Sequence, residues 1–379
     1  MSALLVLLSG CTAAGPEFRQ PASPAGSAPA SGTPAGPRTV TIVGSGDVLI
    51  HPPLWEQAAA DAKAAGGTGY DFGPIYASIA DFVAAADLAT CELETPLAKA
   101  EGPFAGYPDF NAPPQVLTTL KKIGYDSCTN ANNHSLDQGY EGVKRTLDHL
   151  DAAGLRHTGT ARSAEEASTP LIITTRQGVR IAQLAYTFGF NGRTKPAGQD
   201  WLANQTSIPA ILAAAARARK AGADIVVLSM HWGVEYDHKT TPEQQTQARQ
   251  LLASPDIDVI LGDHAHVVQP FEKIGGKWVA YGMGNQIARH SEPINDNREG
   301  VMPRFTFTET APGQWTLSKA EALPIWMDIT PKLRLVNLPA ALADPATPAA
   351  SRASYQAAHT RISGYLNSRG AGQQGLIIL

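Results

Sequence analysis

The stretch Asp258-Val-Ile-Leu-Gly262-Asp-His264-Ala-His266-Val-Val-Gln269 decides how the rest of the chain is read. Val259-Ile260-Leu261 has the length and β-branched content of a buried strand, and Gly262 supplies the turn that ends it. His264 and His266 follow at once. Two imidazoles at the carboxyl end of a strand sit where open α/β sheets hold ligands, and each offers a nitrogen to a divalent metal. Alone, the pair also fits two ordinary loop histidines. What decides between these readings is the company the pair keeps.

On the near side, Asp224-Ile-Val-Val-Leu-Ser-Met has the pattern of a buried strand and runs into His231-Trp232-Gly233-Val-Glu235-Tyr236. Thr241-Pro242 then opens a helix that runs to about Ala253. On the far side, Lys277 to Tyr281 is a strand ending in Gly282-Met-Gly284-Asn285. Further out, Val40 to Val43 leads into Gly44-Ser-Gly46-Asp47, and the strand from Asp87 delivers Glu92 and Glu94 before Pro96 ends it. The run from Asn130 through Asn132-Asn133-His134 to Asp137 precedes a helix over Tyr140 to Ala153, with Val143, Leu147 and Leu150 on one face and Gly154 as its stop. Val179 to Tyr186 reads as a strand and Ile208 to Ala221 as a helix. Strand, polar loop and helix repeat, which predicts an α/β domain with its site along one edge of the sheets. After Pro303 the pattern weakens. Arg304 to Phe307 and Gln314 to Leu317 fit a hairpin, Ile325 to Val336 holds strand-like runs, and Ala353 to Leu366 a closing helix.

With 379 residues, 43% hydrophobic and 17% charged, the chain can bury a sizeable core. A net charge of −4 and the lack of any basic block argue against nucleic acid as a partner. Cys91 and Cys128 show no metal or disulfide spacing and read as small core residues. Cys11 differs, because Leu8-Ser9-Gly10-Cys11 after a short apolar run has the form of a bacterial lipobox. No Lys or Arg precedes that run, and a start codon assigned too far downstream is the simplest account. Residues 12–38 are rich in Pro, Ala, Gly and Ser and read as a disordered tether. The expected organisation is therefore a lipoprotein signal peptide over 1–11, the tether over 12–38, the main domain over 39–300 and a C-terminal completion over 301–379.

Five strand ends thus carry Asp47, Glu94, Asn133-His134, His231 and His264-x-His266. Two divalent cations about 3.5–4 Å apart need a bridging carboxylate, further oxygen ligands and neutral imidazoles. Glu94 is the candidate bridge, with Asp47 and His266 for one metal and Asn133, His231 and His264 for the other. His134 is the candidate general acid. His51, Glu92, Asp137, Glu235 and Asn285 are further candidates. Each also has a bland reading as a turn residue, a packed histidine or a surface charge.

The combination resembles the CapA family, the poly-γ-glutamate capsule-synthesis proteins. The resemblance rests on Gly46-Asp47, Leu93-Glu94-x-Pro96, Gly106-Tyr107-Pro108 with Phe110-x-Ala-Pro113, Asn132-Asn133-His134-Ser-Leu-Asp137-x-Gly139, His231-Trp232-Gly233-x-Glu235-Tyr236, Gly262-x-His264-x-His266 and Gly284-Asn285. It spans roughly Thr39 to Gly300. That family is similar in turn to calcineurin-like metallophosphoesterases, so the resemblance implies a four-layer αββα sandwich holding two divalent metals, of Mn, Zn, Fe or Mg. The chain departs from the phosphoesterase pattern in having Val48 and Leu49 after Asp47, with His51 the nearest histidine, and in having Leu93-Glu94 where those enzymes have Gly-Asp. Glu92 adds an acid that favours a hard cation such as Mn²⁺ or Mg²⁺.

The implied function is that of an exported lipoprotein, anchored to the bacterial membrane through Cys11. It would act in synthesis, export or anchoring of an anionic capsular polymer of the poly-γ-glutamate type, beside membrane synthase subunits. A metal-dependent phosphoester hydrolase is the first form of this reading. A non-catalytic polyanion-binding subunit is the second, and a surface nucleotidase the third. The nucleotidase needs an aromatic pair to stack a base, and the sequence alone assigns none.

Overall fold

The computed structural model describes Met1, residues 37–290, Ile294 and residues 296–379. The expected signal peptide, the Cys11 lipidation site and nearly all of the expected tether lie outside the described residues. Within them, no helix is long and apolar enough to cross a membrane.

In chain order the strands are β1 (Thr39–Val48), β2 (Leu88–Leu93), β3 (Ser127–Thr129), β4 (Arg156–Thr158) and β5 (Leu171–Thr174). They continue with β6 (Arg180–Thr187), β7 (Ile225–His231), β8 (Val259–Asp263), β9 (Phe271–Ile274) and β10 (Lys277–Ala280). The last are β11 (Asn285–Ile287), β12 (Glu299–Ala311), β13 (Gln314–Asp328), β14 (Arg334–Asn337) and β15 (Leu376–Ile378). One sheet has the order β14-β13-β12-β1-β2-β3-β4, with β11 also on β1 and β15 on β13; the other runs β5-β6-β7-β8-β10-β9.

Strand alternation builds the layers. In β8, Val259 and Leu261 face one way and Ile260 the other; in β1, Ile42 and Val43 diverge likewise. Ile42, Val227, Val259, Leu261 and Phe305 share one buried cluster, which is the seam between the sheets. Val43 and Ala89 pack instead against Leu54, Leu117 and Leu147 of helices Pro52–Ala64, Val116–Ile123 and Gly139–Ala152. Leu228 and Ile260 pack against Ala215 and Leu251 of helices Ile208–Lys220 and Pro242–Leu252. The result is the four-layer αββα sandwich that the resemblance implies.

Local signals account for the element ends. Thr241 accepts from the Gln244 N–H at 3.0 Å while the Gln244 side chain accepts from the Thr241 N–H at 2.9 Å, a complete capping box with Pro242 in the first turn. The expected C-terminal hairpin is present but much longer than the sequence shows, since β12 and β13 pair from Glu299↔Trp326 to Ala311↔Gln314. Residue 300 lies inside β12, which pairs antiparallel with β1 and so continues the first sheet directly.

One expectation is corrected. Cys91 and Cys128 are not separate thiols but a disulfide, because parallel pairing of β2 with β3 sets them directly opposite, with Cα atoms 4.4 Å apart. Their separation of 37 residues carries no motif that would show this from sequence.

Candidate metal centre

Strand register gathers the candidate residues. Asp47 of β1 pairs with Glu92 of β2 and with Asn285 of β11, and His231 of β7 pairs with Asp263 of β8. Each of β1, β2, β7 and β8 therefore ends at the same edge of the sandwich, and the loop after β3 adds Asn132 to Asp137. Two glycines make the close approach possible. A Cβ on Gly46 would lie 1.8 Å from the Gly284 carbonyl oxygen, and one on Gly262 would lie 2.0 Å from that of Tyr281.

Glu94 sits at the middle, fully buried, with Oε1 3.6 Å from His231 Nε2 and 3.6 Å from His266 Nε2. His266 Nδ1 lies 3.1 Å from Asp47 Oδ2 and 3.0 Å from Asn285 Oδ1, and Asn285 is itself held by its amide donating to the Asn297 carbonyl at 2.8 Å. His231 Nε2 is 3.0 Å from Asn133 Oδ1, and its ring lies 4.8 Å from that of His264. Three sets of donor atoms come close enough to hold a cation: Glu94 with His231 and His264, Asp47 with Glu94 and His266, and Asp47 with Glu92 and His231. The first two share Glu94.

His264 and His266 both have left-handed backbones, φ 89° and 54°. Such conformations cost about 1–3 kcal/mol each in a non-glycine residue and cluster at functional sites. They are held in place: the His264 N–H donates to Asp47 Oδ1 at 3.2 Å, and the Tyr236 N–H donates to the Ala265 carbonyl between the two histidines at 2.7 Å.

His134 has a different setting. Its Nδ1 lies 2.7 Å from Asp137 Oδ2, and that oxygen also accepts from the Phe110 N–H at 2.9 Å. The carboxylate fixes the ring and its tautomer and leaves Nε2 as the atom able to give or take a proton.

Electrostatics sets the centre apart. Burial pushes Glu92, Glu94 and Asp263 well above the carboxylate range, and the charge of Asp47 pushes all three further. Burial and neighbouring imidazoles push His231 well down and His264 down to about 3. For His266, burial acts downward, but the hydrogen bond and charge of Asp47 outweigh it and the direction is up. Both oxygens of Glu94, one each of Glu92 and Asp263, and Nδ1 of His231 and His264 are buried without a hydrogen-bond partner. Buried polar atoms normally find partners, so this concentration is costly as it stands. A divalent cation would satisfy it, since it takes carboxylate oxygens and neutral imidazoles. The residues present therefore fit a metal.

Comparison with known proteins gives the family. The family model for bacterial capsule synthesis protein PGA_cap matches residues 41–290. The chain belongs to this capsule-synthesis family. It is 29% identical over 180 residues to capsule biosynthesis protein CapA of Bacillus anthracis, covering 47% of this chain and 43% of that protein. It is 32% identical over 177 residues to PGA biosynthesis protein CapA of Bacillus subtilis strain 168, covering 46% and 45%. The match spans less than half the length of either relative. Among solved structures, a 5′-nucleotidase precursor from Thermus thermophilus aligns with TM-score 0.47 and 15% identity over 86% of this chain and 59% of that one. Calcineurin-like phosphoesterase YfkN from Bacillus subtilis aligns with TM-score 0.44 and 13% identity over 86% and 98%. Scores this low carry no argument about chemistry.

Every candidate residue from Asp47 to Asn285 falls inside the PGA_cap match, but not all of them meet. His51 stays out of the three donor sets; its Nδ1 accepts from the Arg289 N–H at 3.2 Å and its ring packs by Phe110 and His290. Glu235 is exposed and acts on Glu94 and His266 through its charge. Glu92 does join one donor set, with Asp47 and His231, and also takes a 2.8 Å hydrogen bond from Asn132. Sequence reasoning missed four groups. Asp263 was hidden between Gly262 and His264. Asn132 was seen only as part of a motif, although its amide ties Glu92 and the Leu93 carbonyl while its oxygen caps the His134 N–H. His290, 5.4 Å ring to ring from His266, follows β11 in a loop without pattern. Finally, the exposed rings of Phe188 and Tyr236 lie 4.5 Å from the ring of His264 and 5.9 Å from that of His266.

Proposed function

We propose that this capsule-synthesis family member is exported and anchored through Cys11, and acts in synthesis, export or anchoring of an anionic polymer of the poly-γ-glutamate type through a metal-dependent phosphoesterase-like centre. The observation that carries the reading is Glu94, buried with both oxygens unpartnered and with Oε1 3.6 Å from both His231 Nε2 and His266 Nε2. In this reading Glu94, Asp47 and His266 would hold one divalent cation, and Glu94, His231, His264 and Asn133 would hold a second. Such ions supply Lewis-acid polarisation of an ester and a water acidic enough to ionise near neutral pH.

The chain's own residues do the rest. Asp137 orients His134 so that Nε2 delivers a proton to a departing oxygen. Arg193, whose Nε lies 3.5 Å from Asp137 Oδ1, places a partly exposed positive charge beside that dyad, where an anionic substrate would be held. The Cys91–Cys128 disulfide supports export, since such bonds persist in oxidising compartments. Synthase subunits in the membrane remain the proposed partners, as does the polymer.

A panel of phosphomonoesters and phosphodiesters assayed with Mn²⁺, wild type against His134→Ala, tests the catalytic part. Turnover that falls about 10²-fold or more in the variant supports it. Turnover absent from wild type, with polymer binding kept in both proteins, replaces it with the binding-subunit reading. The Phe188 and Tyr236 rings favour a surface nucleotidase as the second enzymatic form; a marked preference for nucleotides over glycerol phosphate in the same panel would select it.

A further inference from the structure

Outside the family match, a cavity of about 400 Å³ opens between the end of β13 and helix Ala349–Asn367. Arg298, Arg361, Trp326, Tyr355, Ser351 and Ser354 line it, with Asp328 at its wall. We propose that this cavity binds a carboxylate group, one side group of an anionic oligomer.

Arg298 carries the argument. Its guanidinium carbon stands 3.9 Å over the Trp326 ring, and its Nε donates to the Met327 carbonyl at 2.9 Å. Stacking fixes the plane and the Nε bond fixes the rotation, while both terminal nitrogens keep no protein acceptor among the described residues. A planar guanidinium fork held this way is matched to a carboxylate, which accepts two parallel hydrogen bonds. Burial opposes its charge, so an anion in the cavity gains more from it than from a solvated surface arginine.

The neighbouring acids do not occupy the fork. Asp328 accepts from Trp326 Nε1 at 3.0 Å and from the Tyr355 hydroxyl at 2.5 Å, so both its oxygens are engaged. Glu299 is fully buried and is paired with Arg361, whose Nε and one terminal nitrogen both reach Oε1. The other terminal nitrogen of Arg361 is left without a protein acceptor among the described residues. Ser351 and Ser354 line the wall, and the Ser354 hydroxyl donates to the Ala350 carbonyl at 3.4 Å.

The position matters as well. Asn297, the residue before Arg298, is the one whose carbonyl holds the Asn285 amide, and Asn285 in turn contacts His266. An oligomer with repeated carboxylates, the polymer class of the proposed function on which this assignment rests, would anchor one group here. Carboxylate binding in the cavity does not depend on the candidate centre turning anything over.

The test is calorimetric titration of the full chain with glutarate, with a six-residue glutamate oligomer and with inorganic phosphate, alongside tryptophan fluorescence. Binding of the two carboxylate ligands with a change in emission is expected. Trp326→Phe should remove that change, which identifies the cavity's own ring as the reporter. Arg298→Gln should weaken binding about tenfold or more, and Arg298→Lys should not restore it, because lysine lacks the fork. Should Arg298→Gln fail to fold, the Lys variant decides alone. Tighter binding of the oligomer than of glutarate assigns the site to the polymer, and equal binding assigns it to small carboxylates. No binding of either at about 10 mM, unchanged binding in both Arg298 variants, or binding of phosphate alone would overturn the proposal.

Discussion

Glu92, Glu94 and Asp263 at the strand ends, and Asp148 and Glu166 around Arg162, are the same residue types held in opposite ways. At the strand ends burial pushes the carboxyls up, and both oxygens of Glu94 with one each of Glu92 and Asp263 go without partners. Around Arg162 the direction is down. Hydrogen bonds from Lys144 and Arg162 lower Asp148, and for Glu166 the bonds from Arg162 outweigh burial. Arg162 meets Asp148 at 2.9 Å, Asp151 at 2.7 Å and Glu166 at 2.5 Å, a complete network at the surface. One group of acids is finished by the chain itself. The other is buried without an internal counter-charge for Glu94. Acid content alone does not mark a site, whereas buried acid without an internal counter-charge does.

The largest expected effect that could break this comparison is metal-dependent stability. Mn²⁺ or Zn²⁺ at a hundredfold excess over Kd should stabilise the folded chain by about 2.7 kcal/mol, seen as a raised Tm, and Glu94→Gln should abolish most of the gain. The same ions should leave the Arg162 network unaffected, so Glu166→Gln keeps the full gain.

Next comes a reversal of sign. In protein stripped of metal, Glu94→Gln should raise the stability measured by urea unfolding by about 1–2 kcal/mol, because it removes an uncompensated buried carboxyl. A loss instead would mean that Glu94 is already paired within the chain.

Glu299 stands between the two groups, fully buried yet paired with Arg361. Burial outweighs the arginine and carries its carboxyl from 4.5 to about 7. A folded-state value above the unfolded one means the proton is held more tightly when folded. Stability from this group is therefore present at low pH and lost as pH rises from about 4.5 through about 7. A decline of about 3 kcal/mol at most over that window, absent in Glu299→Gln, is expected. The smallest effect belongs to the finished network. Glu166→Gln should cost about 0.5 kcal/mol or less, since partly exposed pairs are screened by water and salt, and the loss should shrink further at high ionic strength.

The strands were legible in the sequence because each shows a β-branched run followed by glycine and polar residues. Val259-Ile260-Leu261 and Val40 to Val43 are the clearest cases, although β8 continues through Gly262 to Asp263 and β1 through Gly44 to Val48, so Gly262 marks a close approach and not the strand's stop. Helix faces were legible for the same periodic reason, as Val143, Leu147 and Leu150 show. What escaped depends on pairing between distant segments. The Cys91–Cys128 disulfide needs the β2–β3 register, and the full length of β12 and β13 needs their mutual pairing, since neither strand alternates cleanly along its whole run. His290 and Phe188 sit in loops where an aromatic or imidazole ring has no periodicity to betray its direction. The four-layer arrangement itself came from the family resemblance, not from spacing, which showed only strand, loop and helix in repetition.

Elemental analysis of the purified chain, wild type against the His264→Ala/His266→Ala double variant after supply of Mn²⁺ and Zn²⁺, tests the central claim most directly. The account predicts about two metal ions per wild-type chain and their loss in the variant, as expected of a centre that shares one carboxylate between two cations. Wild-type protein that holds no metal under either supply would contradict it.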